Sequence, residues 1–283
     1  MAKFNLYAFA DEADQSLSGQ IAAMKRNGQQ GLEIRTVDGM NVSDISVAKA
    51  KEIRKQMDDA GLRVWSIGSP IGKIDIEKDD FAAHMDKLRN TLEVAEVLGA
   101  ENIRMFSFFV PQDKDPAIFR SCVIDRLNVM VEAAKGCTAE LCHENEKGIY
   151  GDNAARCLDV LTNVPQLKGI FDPANFVQVG QDTLKAWELL GSRIKYMHIK
   201  DALPDGKVVP AGQGYGHVPE ILRMFAANGG SSLTLEPHLF DFAGLKALER
   251  AGQTTKLGDG TYATPDDAFD AAANALKAII EAM

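Results

Sequence analysis

Short runs of crowded apolar residues alternate along the whole chain with longer stretches in which apolar positions recur every three or four residues. The short runs are rich in strand-forming residues and bounded by turn formers. They predict strands over Phe4–Phe9, Gly31–Arg35, Arg63–Ile67, Asn102–Ser107, Thr138–His143, Lys168–Phe171, Tyr196–Ile199 and Ser232–Leu235. Several of them (LYAFA, RVWSIG, SLTLE) are apolar on both faces, as parallel strands covered by helices are. The longer stretches carry helix punctuation. The helix holding Leu88, Leu92, Val94, Ala95 and Leu98 stops at Gly99, and others end at Asn27-Gly28 and Ala60-Gly61. Ser43-Asp44, Asp115-Pro116, Asp152 and Thr264-Pro265 read as helix starts. His84 reads as exposed helix surface, His217 as the start of the helix after the seventh strand, and Trp65 and Trp187 as packing residues.

Strands alternating with helices imply a parallel sheet, and eight such units close it into a single (β/α)8 TIM barrel. The chain's 283 residues suit that barrel, which typically takes ~250. One domain spanning 1–283 is therefore expected. Residues 238–263 exceed a simple strand–helix connection. They predict a short extra helix and a mobile loop over the barrel mouth, between the eighth strand and the last helix.

Charge narrows the partners. A net charge of −9 argues against nucleic acid, whose phosphates require a basic surface, but leaves open an anionic small molecule in a locally positive pocket. The opening residues show no basic segment followed by an apolar one, and no stretch approaches a membrane span, so a cytoplasmic protein without membrane contact is expected. Cys122, Cys137, Cys142 and Cys157 form no C-x-x-C pair and read as small buried hydrophobes.

In a barrel of this kind the chemistry sits at the C-terminal ends of the strands. The fifth to eighth strands each deliver an acid or a histidine there: Glu144, Asp172, His198 and Glu236. Three carboxylates and an imidazole brought together repel one another unless a cation neutralises them. An oxygen-rich set with one nitrogen and no thiolate suits one divalent ion, Mn²⁺ first, with Mg²⁺, Co²⁺ or Zn²⁺ as alternatives. Such an ion stabilises the enediolate formed when a carboxylate removes a proton α to a carbonyl. Around this set, alternation turns Lys200 to the same side as His198, as a candidate to bind substrate, and Asp201 follows as a partner for that histidine or a cap. Glu33, Arg35, Arg104, Lys73 and His238 are further candidates to line the site or bind substrate, Lys73 from the loop starting at Ser69. His143 and Glu146 flank Glu144 as supporting residues. Phe9, Phe106 and Phe108 read as core, with an apolar pocket wall as the alternative.

The strings HENEKGIYGD, FDPANF, HIKDA and LEPHL resemble the xylose-isomerase-like barrel superfamily of sugar-phosphate isomerases and epimerases, and the resemblance spans essentially the whole chain. It implies that Glu144, Asp172, His198 and Glu236 are the metal ligands, with Glu144 and Glu236 as acid/base groups on opposite sides of a bound sugar. Asn175 stands where several ketose epimerases carry a substrate-binding histidine. The loop Asp201-Ala-Leu-Pro-Asp-Gly-Lys207 lacks the arginine that some epimerases place there.

The expected function is thus a metal-dependent isomerase or epimerase of a small carbohydrate or sugar phosphate. The nearest alternative is an inosose or keto-polyol dehydratase on the same site. A metal-dependent phosphodiesterase would need several more histidines than the five present, and a non-catalytic binding barrel is the remaining class. Barrels of this kind often pair, so a homodimer or higher homo-oligomer is within expectation.

Overall fold

In the computed structural model, which describes residues 4–242, 256–257 and 261–283, the apolar runs become eight strands. These are β1 (Asn5–Ala8), β2 (Gly31–Ile34), β3 (Arg63–Ile67), β4 (Asn102–Met105), β5 (Glu140–Glu144), β6 (Lys168–Phe171), β7 (Ile194–Ile199) and β8 (Ser232–Leu235). Every neighbouring pair is parallel, and β1 bonds both β2 and β8, so the sheet is a closed eight-stranded barrel with surrounding helices, a (β/α)8 architecture. The helices are α1 (Leu17–Arg26), α2 (Val47–Asp59), α3 (Phe81–Leu98), α4 (Arg120–Ala133), α5 (Ala154–Asn163), α6 (Pro173–Gln178), α7 (Thr183–Leu190), α8 (Val218–Ala227) and α9 (Pro265–Glu281). The expected extra helix and loop over 238–263 fall largely on residues 243–255 and 258–260, which lie outside the described residues. Among the described residues no helix is long and apolar enough to cross a membrane.

Local chemistry fixes the boundaries. Asp80 caps α3 by accepting from Ala82 and Ala83 N–H, and Gly99, at φ +67, ends it in the left-handed conformation that glycine adopts without steric cost. Thr264 caps α9 with Pro265 at its first position, as expected. Three starts are corrected. α2 is capped by Ser46 rather than Ser43-Asp44, and α5 by Asn153, whose side chain accepts from Arg156 N–H, while Asp152 pairs with the Arg156 side chain. Asp115 caps a 3-10 turn, Pro116–Phe119, that leads into α4.

Two apolar layers result. The larger packs the outer strand faces against the helices and contains Met24, Leu88, Phe225 and Phe269. The smaller fills the lower lumen with Tyr7, Trp65, Cys142, Ile170 and Tyr196, with Tyr7 stacked on Trp65 at 4.6 Å. Side chains two apart on a strand share a face. One step further along these strands therefore stand Phe9, Glu144, Asp172 and His198, at the barrel mouth. The lumen thus passes from apolar floor to charged mouth within one pleat.

His84 and Cys122 depart from expectation. His84 is buried, because the loop after β3 folds over α3 and Gly72 N–H donates to its Nε2 at 2.7 Å; Cys122 is exposed.

Candidate metal centre

Each of the four strand-end residues offers one donor atom, and these atoms all lie within 4.8 Å of one another. Glu144, Asp172, His198 and Glu236 are at most 3% exposed. Asp172 divides its carboxylate between two tasks. Oδ1 accepts from Asn175 N–H at 2.9 Å and caps α6. Oδ2 is buried and accepts no hydrogen bond, although the Lys200 ammonium stands 3.0 Å away. The end of β6 is clamped to β5 by Asn145, which donates to Asp172 O and accepts from Asp172 N–H, each at 2.9 Å.

His198 is held at both ring nitrogens: Nδ1 lies 2.9 Å from Glu144 Oε1 and 3.9 Å from Glu236 Oε2, and Nε2 lies 3.1 Å from Glu33 Oε2. Three further cations converge on the acids. Lys200 Nζ donates to Glu236 Oε2 at 2.7 Å. Arg104 lies 3.3 Å from Glu144 Oε2 and 3.8 Å from Glu236 Oε1. Arg35 donates to Glu236 Oε1 at 3.1 Å and grips Asp11 at 2.9 and 3.0 Å and Glu12 at 3.1 Å. Both guanidinium groups lie over the Phe9 ring, at 4.5 and 4.9 Å.

Burial and charge set the protonation of this cluster. Burial lowers the affinity of His198 for a proton, but Glu144 and Glu33 outweigh it and raise its pKa to about 10. Burial, with the charges of Glu236 and Glu144, raises Asp172 to about 7 against the pull of Lys200. Glu236 is also buried, yet Lys200, His238, His198 and Arg35 hold it well below the usual carboxylate range.

The donor chemistry fits a divalent ion. Three carboxylates and one imidazole are the hard, mixed O/N set that Mn²⁺, Mg²⁺, Co²⁺ and Zn²⁺ accept, and the buried Asp172 Oδ2 takes no hydrogen bond. Glu12, Glu236 and His238 form a second close triad, but Arg35 already bonds both of its carboxylates. That triad is an arginine clamp.

The other expected site residues distribute as follows. Asn175 joins the cluster, its Nδ2 3.3 Å from Glu144 Oε1 and 2.9 Å from Asn145 O. His238, at φ +47, lies 3.1 Å from Glu12 and 3.9 Å from Glu236. Glu33 faces His198 from within the barrel rather than lining the mouth. Lys73 is bound to Glu146 at 2.9 Å and lies over Phe106 at 4.4 Å, so Glu146 supports Lys73 and not Glu144. His143 points away from the cluster, bonding Ser107 Oγ at 2.9 Å. Asp201 does not reach His198; it accepts N–H groups from Ala202, Gly212, Gly214 and Gly216 at 2.8–3.0 Å. The sequence reading missed Asp11, Glu12 and Asn145. Asp11 and Glu12 follow the end of the first strand, the position that singled out the other acids, and were legible by that rule.

The model of the xylose isomerase-like TIM barrel matches residues 21–253. No curated protein sequence is significantly similar to the chain. Among solved structures, a xylose isomerase-like TIM barrel/4-hydroxyphenylpyruvate dioxygenase fusion protein is 17% identical with a TM-score of 0.73, over 99% of this chain and 43% of the fusion. This chain thus spans less than half of that protein. The D-psicose 3-epimerase of Clostridium cellulolyticum H10, solved with D-tagatose, is 15% identical with a TM-score of 0.73, over 98% of each chain. The IOLI protein, solved with a bound zinc atom, is 14% identical with a TM-score of 0.73, also over 98% of each. At such identities these likenesses show the fold. With the family match covering most of its length, the chain belongs to the xylose isomerase-like TIM barrels.

Proposed function

We propose that the protein is a divalent-metal-dependent isomerase or epimerase of a small carbohydrate, with Glu144, Asp172, His198 and Glu236 as ligands and Glu144 and Glu236 as proton carriers. The observation that carries this reading is the convergence of four donor atoms from four successive strand ends within 4.8 Å. A divalent ion bound there supplies Lewis acidity, which acidifies the C–H bond beside a sugar carbonyl. The chain's own residues do the rest. The two glutamates reach the cluster from β5 and β8, and Arg104 lies between them, 3.3 and 3.8 Å away. One carboxylate removes the proton and the other returns it to the opposite face, giving an epimer; return to the adjacent carbon, with the hydroxyl proton passing to the former carbonyl oxygen, gives aldose–ketose isomerisation. General-base help of this kind contributes about 10²–10⁴-fold in rate. Lys200, bonded to Glu236 and beside Asp172, is the proposed contact for a substrate oxygen. Asn175 keeps Glu144 oriented through Oε1. Lys200, with His238, His198 and Arg35, holds Glu236 ionised.

The test is incubation with Mn²⁺ and a panel of ketoses in D₂O, followed by mass spectrometry and NMR. Deuterium at a carbon beside the carbonyl, without loss of water, is the expected result. Glu144→Gln and Glu236→Gln should each reduce exchange by at least about 100-fold. Loss of water would assign a dehydratase instead. Full exchange in both variants would sink the acid/base roles.

A further inference from the structure

We propose that Glu33 is a positioning residue for the metal centre: from inside the barrel it fixes the His198 ring so that Nδ1, and only Nδ1, faces the three carboxylates. The proposal rests on the reading of Glu144, Asp172, His198 and Glu236 as a metal site, and it accounts for a buried acid that the proton transfer does not use.

Glu33 is fully buried on β2, and His198 is on β7; two other strands, β1 and β8, separate them in the barrel wall. Their 3.1 Å contact therefore crosses the lumen rather than following the sheet. The pairing of β2 with β3 slips by one residue between Leu32 and Glu33. The extra residue is Trp65 on β3, so Glu33 on β2 keeps the regular alternation that turns it into the lumen. The other oxygen of Glu33 is already committed, because Tyr196 OH donates to Oε1 at 3.0 Å. Tyr196 OH is in turn 3.1 Å from Ser66 Oγ. Only Oε2 remains for the imidazole, and as an acceptor it requires the proton to be on Nε2.

Two rings complete the socket. Phe9 meets His198 edge-on at 5.2 Å, and Tyr196 does so at 5.6 Å, so an aromatic ring packs against the imidazole from each of two residues. With Nε2–H committed to Glu33, Nδ1 faces the Glu144 and Glu236 oxygens, and its lone pair becomes available there once it gives up its own proton. A carboxylate behind a ligating histidine both orients the ring and raises its basicity.

The experiment compares native protein, Glu33→Gln, Glu33→Ala and Tyr196→Phe by calorimetric titration with Zn²⁺ and Co²⁺ and by the visible spectrum of the Co²⁺ form. Glu33→Gln should lower ion affinity about tenfold, and Glu33→Ala nearer 100-fold, with a shifted Co²⁺ spectrum. Tyr196→Phe, which removes only the hydroxyl that fills Oε1, should lower affinity by less while also moving the spectrum. The spectrum distinguishes ring positioning from general loss of stability, which would leave the bands of the folded fraction unchanged. If Glu33→Gln fails to fold, Tyr196→Phe decides in the same two readouts. Native-like affinity with superimposable spectra in the folded variants would overturn the proposal alone, provided Asp172→Asn abolishes binding. Absence of ion uptake by the native protein would overturn both the proposal and the metal site it rests on.

Discussion

Asp172 and His198 show how one residue can satisfy a structural and a chemical demand at once. Asp172 spends Oδ1 on a helix cap and keeps Oδ2 for the cluster; His198 spends Nε2 on Glu33 and keeps Nδ1. Both bind protons more tightly in the folded metal-free chain than in the unfolded one, His198 with a pKa of about 10 and Asp172 about 7. The stability contributed by His198 is therefore fully present below its ordinary value of 6.5 and lost as pH rises through about 10. For Asp172 it is present below 3.8 and lost as pH rises through about 7. Ion binding needs both groups deprotonated, so divalent-ion affinity should increase from about pH 5 to about pH 8. Calorimetry in buffers of different ionisation enthalpy should record about two protons released per ion near pH 6 and fewer at pH 8. Uptake with no proton release would contradict this assignment. The quartet was legible in the sequence because each member falls at the same point of its own strand–helix unit. The role of Glu33 was not, since its contact joins strands on different sides of the lumen and no local spacing encodes it.

One side chain ties four backbone N–H groups of the loop that follows β7. Asp201 is fully buried, its Oδ1 accepting from Ala202 and Gly216 N–H and its Oδ2 from Gly212 and Gly214 N–H. A Cβ on Gly214 would sit 2.3 Å from Asp201 Oδ1, so glycine there permits the close approach. Asp201→Asn replaces one accepting oxygen with an NH₂ donor and leaves two N–H groups without their acceptor. It should cost about 2–3 kcal/mol in urea unfolding and speed proteolytic cleavage between residues 203 and 215. Cleavage and stability equal to native would show that the loop does not depend on this carboxylate. At this scale the elements themselves were legible, because parallel strands are apolar on both faces and helices keep their period. Their starts were less so. Where several cap-capable residues adjoin, as at Ser43, Asp44 and Ser46 or at Asp152 and Asn153, tertiary contacts choose among them. For Asp201 the sequence offers a partner for His198 or a cap; strand alternation turns it away from the lumen toward its own loop.

Across the whole molecule the closed barrel couples an apolar shell to a charged mouth, and its buried neutral histidines predict a loss of stability in acid. Burial lowers His84 to about 4 and His143 to about 3, each below its ordinary 6.5. The unfolded chain therefore binds more protons in this range. The contribution of these two histidines is full above 6.5 and falls as pH drops toward 4 and 3, by up to about 1.4 kcal/mol per pH unit for each residue. Urea midpoints at pH 7 and pH 4.5 should differ less in His84→Gln than in native protein; an equal difference would remove His84 from this account. The fold class was legible from eight alternating units and from the family strings, whereas the Arg35 clamp on Asp11, Glu12 and Glu236 required the barrel to bring β1, β2 and β8 together. The proposed metal site is one divalent ion held at this mouth by four strand-end residues. Elemental analysis after dialysis against Mn²⁺, Zn²⁺ or Co²⁺ tests it most directly, on native protein and on folded Asp172→Asn. One ion per native chain and none in the variant is the predicted result; no ion in the native protein, or the same content in both, would contradict it.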